Sequence, residues 1–172
     1  GIVSDAIVSL DVGTSVVKAV LFDLGPESSG EGTQRDRLVA AQTCRLHTPQ
    51  PGWAELDPEE LWQAVVAVLR AIMDQVPAGT HIRAVALATQ GGTLIPCRAD
   101  GTPTHQAITW LDRRSEDVAA QWRAEGINSR VRRISGWYPE PGLPLLSIAW
   151  LRRERPEVFA ATERYLSAND FL

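Results

Sequence analysis

The chain has 172 residues, of which 44% are hydrophobic and 22% charged, so its composition is that of a globular domain and argues against intrinsic disorder. Its formal net charge of −4 gives no electrostatic reason to expect nucleic acid or an anionic membrane as a partner. No apolar run approaches the roughly 18 residues that a membrane-spanning helix needs. Gly1–Ala6 lacks the pattern of a signal peptide, and Cys44 and Cys97 are too few for a disulfide scaffold. A cytoplasmic location with reduced thiols is therefore expected.

The N-terminal part of the chain alternates between apolar strands and turns. Ala6–Asp11 is apolar and β-branched, and Val16–Phe22 alternates in polarity, so the two segments predict a hairpin. Leu24–Arg37 is polar and rich in turn residues, which predicts a long, mobile hairpin tip. Leu38–Leu46 predicts a third strand that returns beside the second.

A helix start follows at Asp57, because Asp57 can accept from free backbone N–H groups and Pro58 suits the first helical position. This helix is expected to run to about Gln75. Ile82–Ala88 is apolar and too short for a helix, so it predicts a buried parallel strand after the crossover. Further strands are expected at Thr93–Cys97, Ala107–Asp112 and Tyr165–Leu166, and further helices at residues 113–124, 128–134, 145–153 and after Pro156.

The order β-β-β-α-β, followed by further helices and strands, is that of the ribonuclease H-like core. The predicted fold is therefore an α/β domain with a mixed β-sheet and flanking helices, of the actin, Hsp70 and sugar kinase superfamily. In that architecture two such domains face each other, and this length holds one. A single domain over residues 1–172 is therefore predicted.

Asp11–Lys18 carries the most chemical information. Gly13 is expected to adopt a positive φ and to allow a close approach, while Thr14 and Ser15 offer hydroxyl donors to phosphate oxygens. Successive backbone N–H groups in such a turn form an anion-binding concavity. Asp11 can hold Mg²⁺ and Lys18 can neutralise phosphate charge, so the turn predicts a site for a triphosphate with Mg²⁺. The alternative is a plain hairpin with a glycine turn and a surface lysine.

Several motifs in the same order resemble those of the FGGY carbohydrate kinases, and the resemblance spans Ile7–Leu172. Ile7–Phe22 is similar to the first phosphate motif of that family. The other matching segments are Pro51–Glu59, Ala84–Pro103, Ala107–Arg114, Leu145–Phe159 and the position of Asp170.

The resemblance implies ATP-dependent phosphorylation of a sugar or polyol hydroxyl. It places Asp11, Gly13, Thr14, Ser15 and Lys18 at the nucleotide, with Asp11 at the metal. It places Gln90, Gly91, Gly92, Trp110 and Asp112 near the sugar. The resemblance also makes residues 1–172 a single N-terminal domain, with the C-terminal nucleotide-binding domain absent from this chain. The catalytic Asp that acts as general base is expected beyond Leu172, so no catalytic residue is predicted within this chain, and the chain alone is expected to be inactive.

Two glycines depart from the family pattern. Xylulokinase-like members carry Met-His after the Gln and glycerol kinases carry Arg-Glu, whereas this chain has Gly91 and Gly92. The glycines either leave room for a different substrate or only shape the strand end. Trp110 is read as a sugar platform, with a core tryptophan as the alternative, and Arg114 is expected in a structural ion pair.

Two other functions stay open at this point. One is a non-catalytic sugar-binding or regulatory module, and the other is a ribonuclease H-like nuclease, which would need a cluster of carboxylates for two metals. The sequence names no particular sugar or hydroxyl. It also leaves the oligomeric state open, with a homodimer of the full-length protein as one option.

Overall fold

The computed structural model describes residues 4–24 and 38–172, so the predicted hairpin tip lies, after Leu24, outside the described residues. The chain divides into two compact units, Gly1–Cys44 with Glu59–Gln90 and Arg45–Pro58 with Gly91–Leu172. In the part that is described, the strands are β1 (Ser4–Val12), β2 (Val16–Asp23), β3 (Val39–Thr43), β4 (Glu55–Leu56), β5 (Thr80–Thr89), β6 (Ile95–Cys97), β7 (Ala107–Ile108) and β8 (Arg164–Leu166). The helices are α1 (Pro58–Met73), α2 (Glu116–Ala124), α3 (Ile127–Ser135), α4 (Pro144–Glu154), α5 (Pro156–Ala161) and α6 (Ala168–Phe171).

The first unit is built on a four-stranded mixed sheet in the order β3-β2-β1-β5. Strands β1, β2 and β3 pair antiparallel, and β5 pairs parallel to β1 after the crossover helix α1. The predicted hairpin, third strand, helix and parallel strand are all confirmed. Alternate side chains of β1 and β2 are buried because successive residues of a strand point to opposite faces.

One expectation about this sheet is wrong: β5 is not a buried strand. Most of its residues are half-buried or exposed, and Val85 is 55% exposed. The physical reason lies in the sheet order, because β5 is an edge strand with β1 as its neighbour on one side. The core of this unit comes instead from β1, β2 and the buried side of α1, where Leu61, Val65, Val68 and Ile72 are all at most 4% exposed.

The second unit combines two small antiparallel ladders with helices. β4 pairs with β7, and β6 pairs with β8. Its core includes Leu94, Ile108, Leu146 and Leu151. The strand predicted at Ala107–Asp112 ends at Ile108, because the backbone N–H of Asp112 donates to the Thr109 carbonyl and closes a turn.

No helix in the described residues is long and apolar enough to cross a lipid bilayer.

Candidate functional site

The glycine turn between β1 and β2 is tight. The backbone N–H of Gly13 donates to the carbonyl oxygen of Val16 over 3.0 Å, and a Cβ at position 13 would lie 3.0 Å from that same oxygen. A side chain at position 13 would therefore crowd the backbone of the turn itself, and the approach of this turn to a phosphate stays a prediction. The positive φ predicted for Gly13 is wrong, because Gly13 is not among the positive-φ glycines of the described residues. Glycine is needed here for space.

The strand register brings the predicted metal ligand and the predicted phosphate lysine side by side. Asp11 on β1 lies directly opposite Lys18 on β2, and both residues are exposed. Directly opposed residues in an antiparallel pair have Cβ atoms about 4.5–5.5 Å apart. Ser15 is exposed as well, and its carbonyl oxygen accepts from the backbone N–H of Cys44 over 2.7 Å, which ties the turn to the end of β3.

Gln90 is bound to this turn, although the sequence assigned it to the sugar. Its backbone N–H donates to the Val12 carbonyl over 2.9 Å, and its side-chain Nε2 donates to the Gly13 carbonyl over 3.2 Å. The hydroxyl of Thr14 donates to Oε1 of Gln90 over 3.1 Å. These contacts follow from the parallel pairing of β5 with β1, which brings the carboxyl ends of both strands to one edge. The first unit thus gathers all five predicted nucleotide-site residues together with Gln90.

Carboxylates are not clustered in the described residues. Within residues 4–24 and 38–172, no group of three or more His, Cys, Asp or Glu side chains is arranged to hold a metal ion. A single exposed carboxylate such as Asp11 still fits Mg²⁺, which usually keeps several waters and takes one or two carboxylates.

Both cysteines are free thiols. Burial raises the pKa of the Cys44 thiol, and the Glu60 carboxylate raises it further. Burial likewise raises the pKa of the Cys97 thiol, with a smaller effect from Asp100. Both thiols therefore stay protonated near neutral pH, which makes them poor nucleophiles.

A buried arginine organises the second unit. The Arg114 side chain is 0% exposed, and its Nη2 lies 2.7 Å from Oε1 of Glu55 and 2.8 Å from Oδ2 of Asp112. Its Nε donates to Oδ1 of Asp112 over 2.9 Å, which makes the contact with Asp112 bidentate. The expected structural ion pair of Arg114 is present, with two carboxylates in place of one.

Two indole rings enclose this cation. The guanidinium carbon of Arg114 lies 3.8 Å from the ring centroid of Trp53 and 5.1 Å from that of Trp150. The two rings meet edge to face, with centroids 5.3 Å apart and planes at 87°. Arg114 Nη1 is buried and has no hydrogen-bond partner among the described residues, so the indole faces contribute to stabilising the charge by cation–π attraction.

Asp112 is committed to this network. It is 1% exposed; Oδ1 accepts from the backbone N–H and Nε of Arg114, and Oδ2 accepts from Nη2 of Arg114 and from the backbone N–H of Ala54 over 2.6 Å. Direct contact of Asp112 with a sugar stays a prediction. What the structure does show is a carboxylate that fixes the turn carrying Trp110.

Trp110 is 48% exposed, so it is not a core residue. Its backbone lies close to the backbones of Gly92 and Gly142. A Cβ on Gly92 would lie 3.0 Å from both the Gly142 carbonyl oxygen and the Trp110 Cβ, and Gly92 has φ of 76°. A Cβ on Gly142, with φ of 89°, would overlap the Trp110 carbonyl oxygen. Gly91 differs, because nothing lies within 4 Å of a Cβ placed there.

Sequence reasoning missed Gly142. The Pro141-Gly142 pair is a turn signal, but nothing in the sequence indicates which residue the turn contacts. Gly91, Gly92, Trp110 and Asp112 belong to the second unit, and Gln90 is the last residue of the first.

The amino-acid sequence that forms these two units also matches a known protein family. Residues 6–172 match the model of the N-terminal domain of the FGGY family of carbohydrate kinases. The chain belongs to this family. The FGGY match covers both units described above, including the glycine turn and the Arg114 network.

Curated relatives of this FGGY chain are sugar and polyol kinases. It is 35% identical over 160 residues to the glycerol kinase of Methylibium petroleiphilum, covering 92% of this chain and 30% of the relative. It is 33% identical over 164 residues to the L-xylulose/3-keto-L-gulonate kinase of Escherichia coli, covering 95% of this chain and 31% of the relative. The FGGY chain therefore spans about a third of the length of these relatives.

Solved structures confirm the sugar kinase fold. The gluconate kinase of Lactobacillus acidophilus superposes with a TM-score of 0.86 at 22% identity, over 98% of this FGGY chain and 32% of that protein. The glycerol kinase of Plasmodium falciparum, solved with ADP, gives a TM-score of 0.80 at 21% identity, over 98% of this chain and 33% of that protein. The predicted α/β fold of the actin, Hsp70 and sugar kinase superfamily is confirmed.

Replacing Arg114 by Met tests the buried ion network. Removing one partner of a buried pair leaves uncompensated charge, which typically costs about 3–5 kcal/mol, and here Glu55 and Asp112 would both lose their cation. Urea unfolding should show a loss of that size for Arg114→Met. The neighbouring exposed Arg113, changed to Met, is the control and should change stability little. Equal stability of the two variants would contradict the structural role of Arg114.

Replacing Gly142 by Ala tests the contact with Trp110. Gly136 is the matched control, because it also has a positive φ but has nothing within 4 Å of an added Cβ. Gly136→Ala should cost about 1–2 kcal/mol, from the left-handed backbone alone. Gly142→Ala should cost more, because the added methyl also overlaps the Trp110 carbonyl, and urea unfolding of both variants measures the difference. Equal costs would show that the contact is loose.

Proposed function

We propose that this chain is the N-terminal, substrate-binding part of an ATP-dependent carbohydrate kinase that phosphorylates a hydroxyl of a sugar or polyol. The proposal rests on two hydrogen bonds: Nε2 of Gln90 donates to the Gly13 carbonyl, and the Thr14 hydroxyl donates to Oε1 of Gln90. They link the turn that resembles the family's phosphate motif to the start of the segment that resembles its substrate loop.

The turn can bind a phosphate chain with few side-chain atoms. Glycine at position 13 keeps side-chain bulk out of the turn, and the hydroxyls of Thr14 and Ser15 can supply donors to an anion. Lys18 supplies a positive charge beside them. Asp11 would hold Mg²⁺ directly or through water, and the ion would neutralise charge on the nucleotide phosphates.

The sugar side rests on the exposed ring of Trp110. An indole presents a broad apolar face on which the C–H groups of a sugar can pack, while the sugar's hydroxyls need polar partners nearby. The ring is held from two sides, because Gly92 and Gly142 lie against its backbone and Asp112 anchors the turn two residues later. In this proposal Asp112 is a positioning residue.

The chemical step needs a group from outside this chain. The general base that takes the proton from the attacking hydroxyl is expected beyond Leu172, as is the domain that binds adenosine. The isolated chain is therefore expected to bind without turnover, since a positioned base commonly contributes about 10²–10⁴ in rate. Activity can therefore be measured only in the full-length protein.

Asp11→Asn in the full-length protein tests the nucleotide assignment. Losing a carboxylate that holds Mg²⁺ should remove several kcal/mol of transition-state stabilisation, which is about 100-fold or more in kcat/KM. Asp11 is exposed at the strand end, so the melting temperature should change little. Steady-state kinetics with varied Mg²⁺ and calorimetric melting measure the two effects.

Asp5→Asn is the matched control for this experiment. Asp5 lies on the same strand and its carboxylate is 46% exposed, but it faces His81 and Arg83 and lies outside the glycine turn. It should leave kcat/KM within about twofold, as is usual for a surface change away from a site. If Asp11→Asn unfolds readily and keeps full specific activity, the hairpin is structural and the nucleotide assignment fails.

The glycines after Gln90 predict an altered substrate preference. A site built to bond a hydroxyl rejects an analogue that lacks it by about 10⁴–10⁵, so loss of the usual reading side chains should relax or move that selection. The full-length enzyme should act poorly on xylulose and on glycerol and better on another sugar or polyol. Kinetics over a panel of ketoses, polyols and aldonates tests this, and xylulose or glycerol as the best substrate would contradict it.

A further inference from the structure

A groove lies among three helices of the second unit, α2, α4 and α5. Its volume is about 530 Å³. Apolar side chains form most of its wall, namely Val118, Trp122, Leu145, Ile148, Ala149 and Phe159. None of the predicted nucleotide-site or sugar-site residues is among those that line it.

The groove is fixed by helices that are packed on their other sides. Leu145, Ile148, Ala149 and Arg152 follow one another at intervals of three, one and three residues, so they share one face of α4. Leu146, Trp150 and Leu151 of the same helix are buried in the core of this unit. On α2, Val118 is 3% exposed. The small side chain of Ala149 leaves volume that a larger residue would fill.

Three polar side chains line the groove, and two of them are arginines. Arg152 is exposed and makes no ion pair or side-chain hydrogen bond with any residue the structure describes, whereas Nε of Arg153 lies 2.6 Å from Glu154 Oε1. Gln121, which is uncharged, donates from Nε2 to Glu125 over 2.8 Å. The uncompensated charge at this rim is therefore that of Arg152.

We propose that this groove is a second small-molecule site, which binds an amphipathic anion: an aromatic or short acyl group that carries one carboxylate. Its volume lies within the roughly 300–1,000 Å³ of ordinary ligand pockets, which are mostly apolar with a few polar groups. The apolar walls and Trp122 suit the hydrocarbon part, and a guanidinium pairs with a carboxylate in a planar, bidentate way. A sugar fits poorly, because the apolar wall offers no partners for a ring of hydroxyls.

The probe is 2-naphthoate, added to the full-length protein and followed by isothermal titration calorimetry and by Trp fluorescence. It should bind saturably with one site per chain. 2-Naphthylmethanol, which keeps the ring and lacks the charge, should bind about tenfold more weakly, the effect of one charged hydrogen bond. Inorganic phosphate, which lacks the apolar part, should not compete at millimolar concentration.

Three variants locate the binding. Ala149→Trp fills the groove and should abolish binding, and Arg152→Gln should weaken it about tenfold by removing the charge. Arg130→Gln removes an exposed arginine of α3 outside the groove and should leave the affinity unchanged. Melting curves confirm that each variant is folded, and if Ala149→Trp is not, Arg152→Gln decides alone.

Each remaining outcome counts against the proposal. An absence of saturable binding would show that the groove is covered in the complete protein or is too shallow. Equal affinity for the naphthoate and the alcohol would show an apolar surface with no anion site. Binding that survives both groove variants would place the probe elsewhere on the protein.

Discussion

The second unit depends on one buried cation. A guanidinium with no solvent exposure is tolerable only where anions and aromatic faces replace water, and Arg114 has Glu55, Asp112 and two indole rings around it. These partners come from three parts of the sequence: the Trp53–Glu55 segment, the turn before α2, and α4. The requirement to pair a single charge therefore sets where three separate segments lie, and it does so with a geometry that a lysine, as a point charge, would not impose.

The same network explains how an exposed tryptophan can be held still. Trp110 lies in a short turn whose two ends are anchored, one by the bonds from Thr109 to the Ala54 carbonyl and the other by the buried Asp112. The backbone of Gly142 closes the remaining side. A platform for a ligand loses less entropy on binding when its backbone is already fixed, so rigidity below the ring is a functional property.

How much the sequence reveals depends on whether a feature is local. The hairpin and α1 are predictable because the alternation of apolar and polar residues, the N-terminal capping residues and the helical spacing all lie within short stretches of sequence. The exposure of β5 could not be predicted, because it depends on whether another strand pairs with its second edge. The φ angle of Gly13 could not be predicted either, because the sequence does not distinguish a glycine needed for space from one needed for a positive φ. The Arg114 contact with Glu55, the Asp112 contact with Ala54 and the Gly142 contact with Trp110 join residues between about 30 and 60 positions apart, beyond the reach of any periodic pattern.

The hydrogen bond from Thr14 to Gln90 ties the glycine turn to the end of β5 through a single hydroxyl. A hydroxyl has one proton to donate, and in this structure the Thr14 hydroxyl donates it to the side-chain carbonyl oxygen of Gln90. A phosphate oxygen arriving at Thr14 would need the same proton, so the hydroxyl must rotate and release the amide. The Gln90 side chain would then lose this hydrogen bond, so the link between the glycine turn and the end of β5 depends on the torsion angle of one threonine.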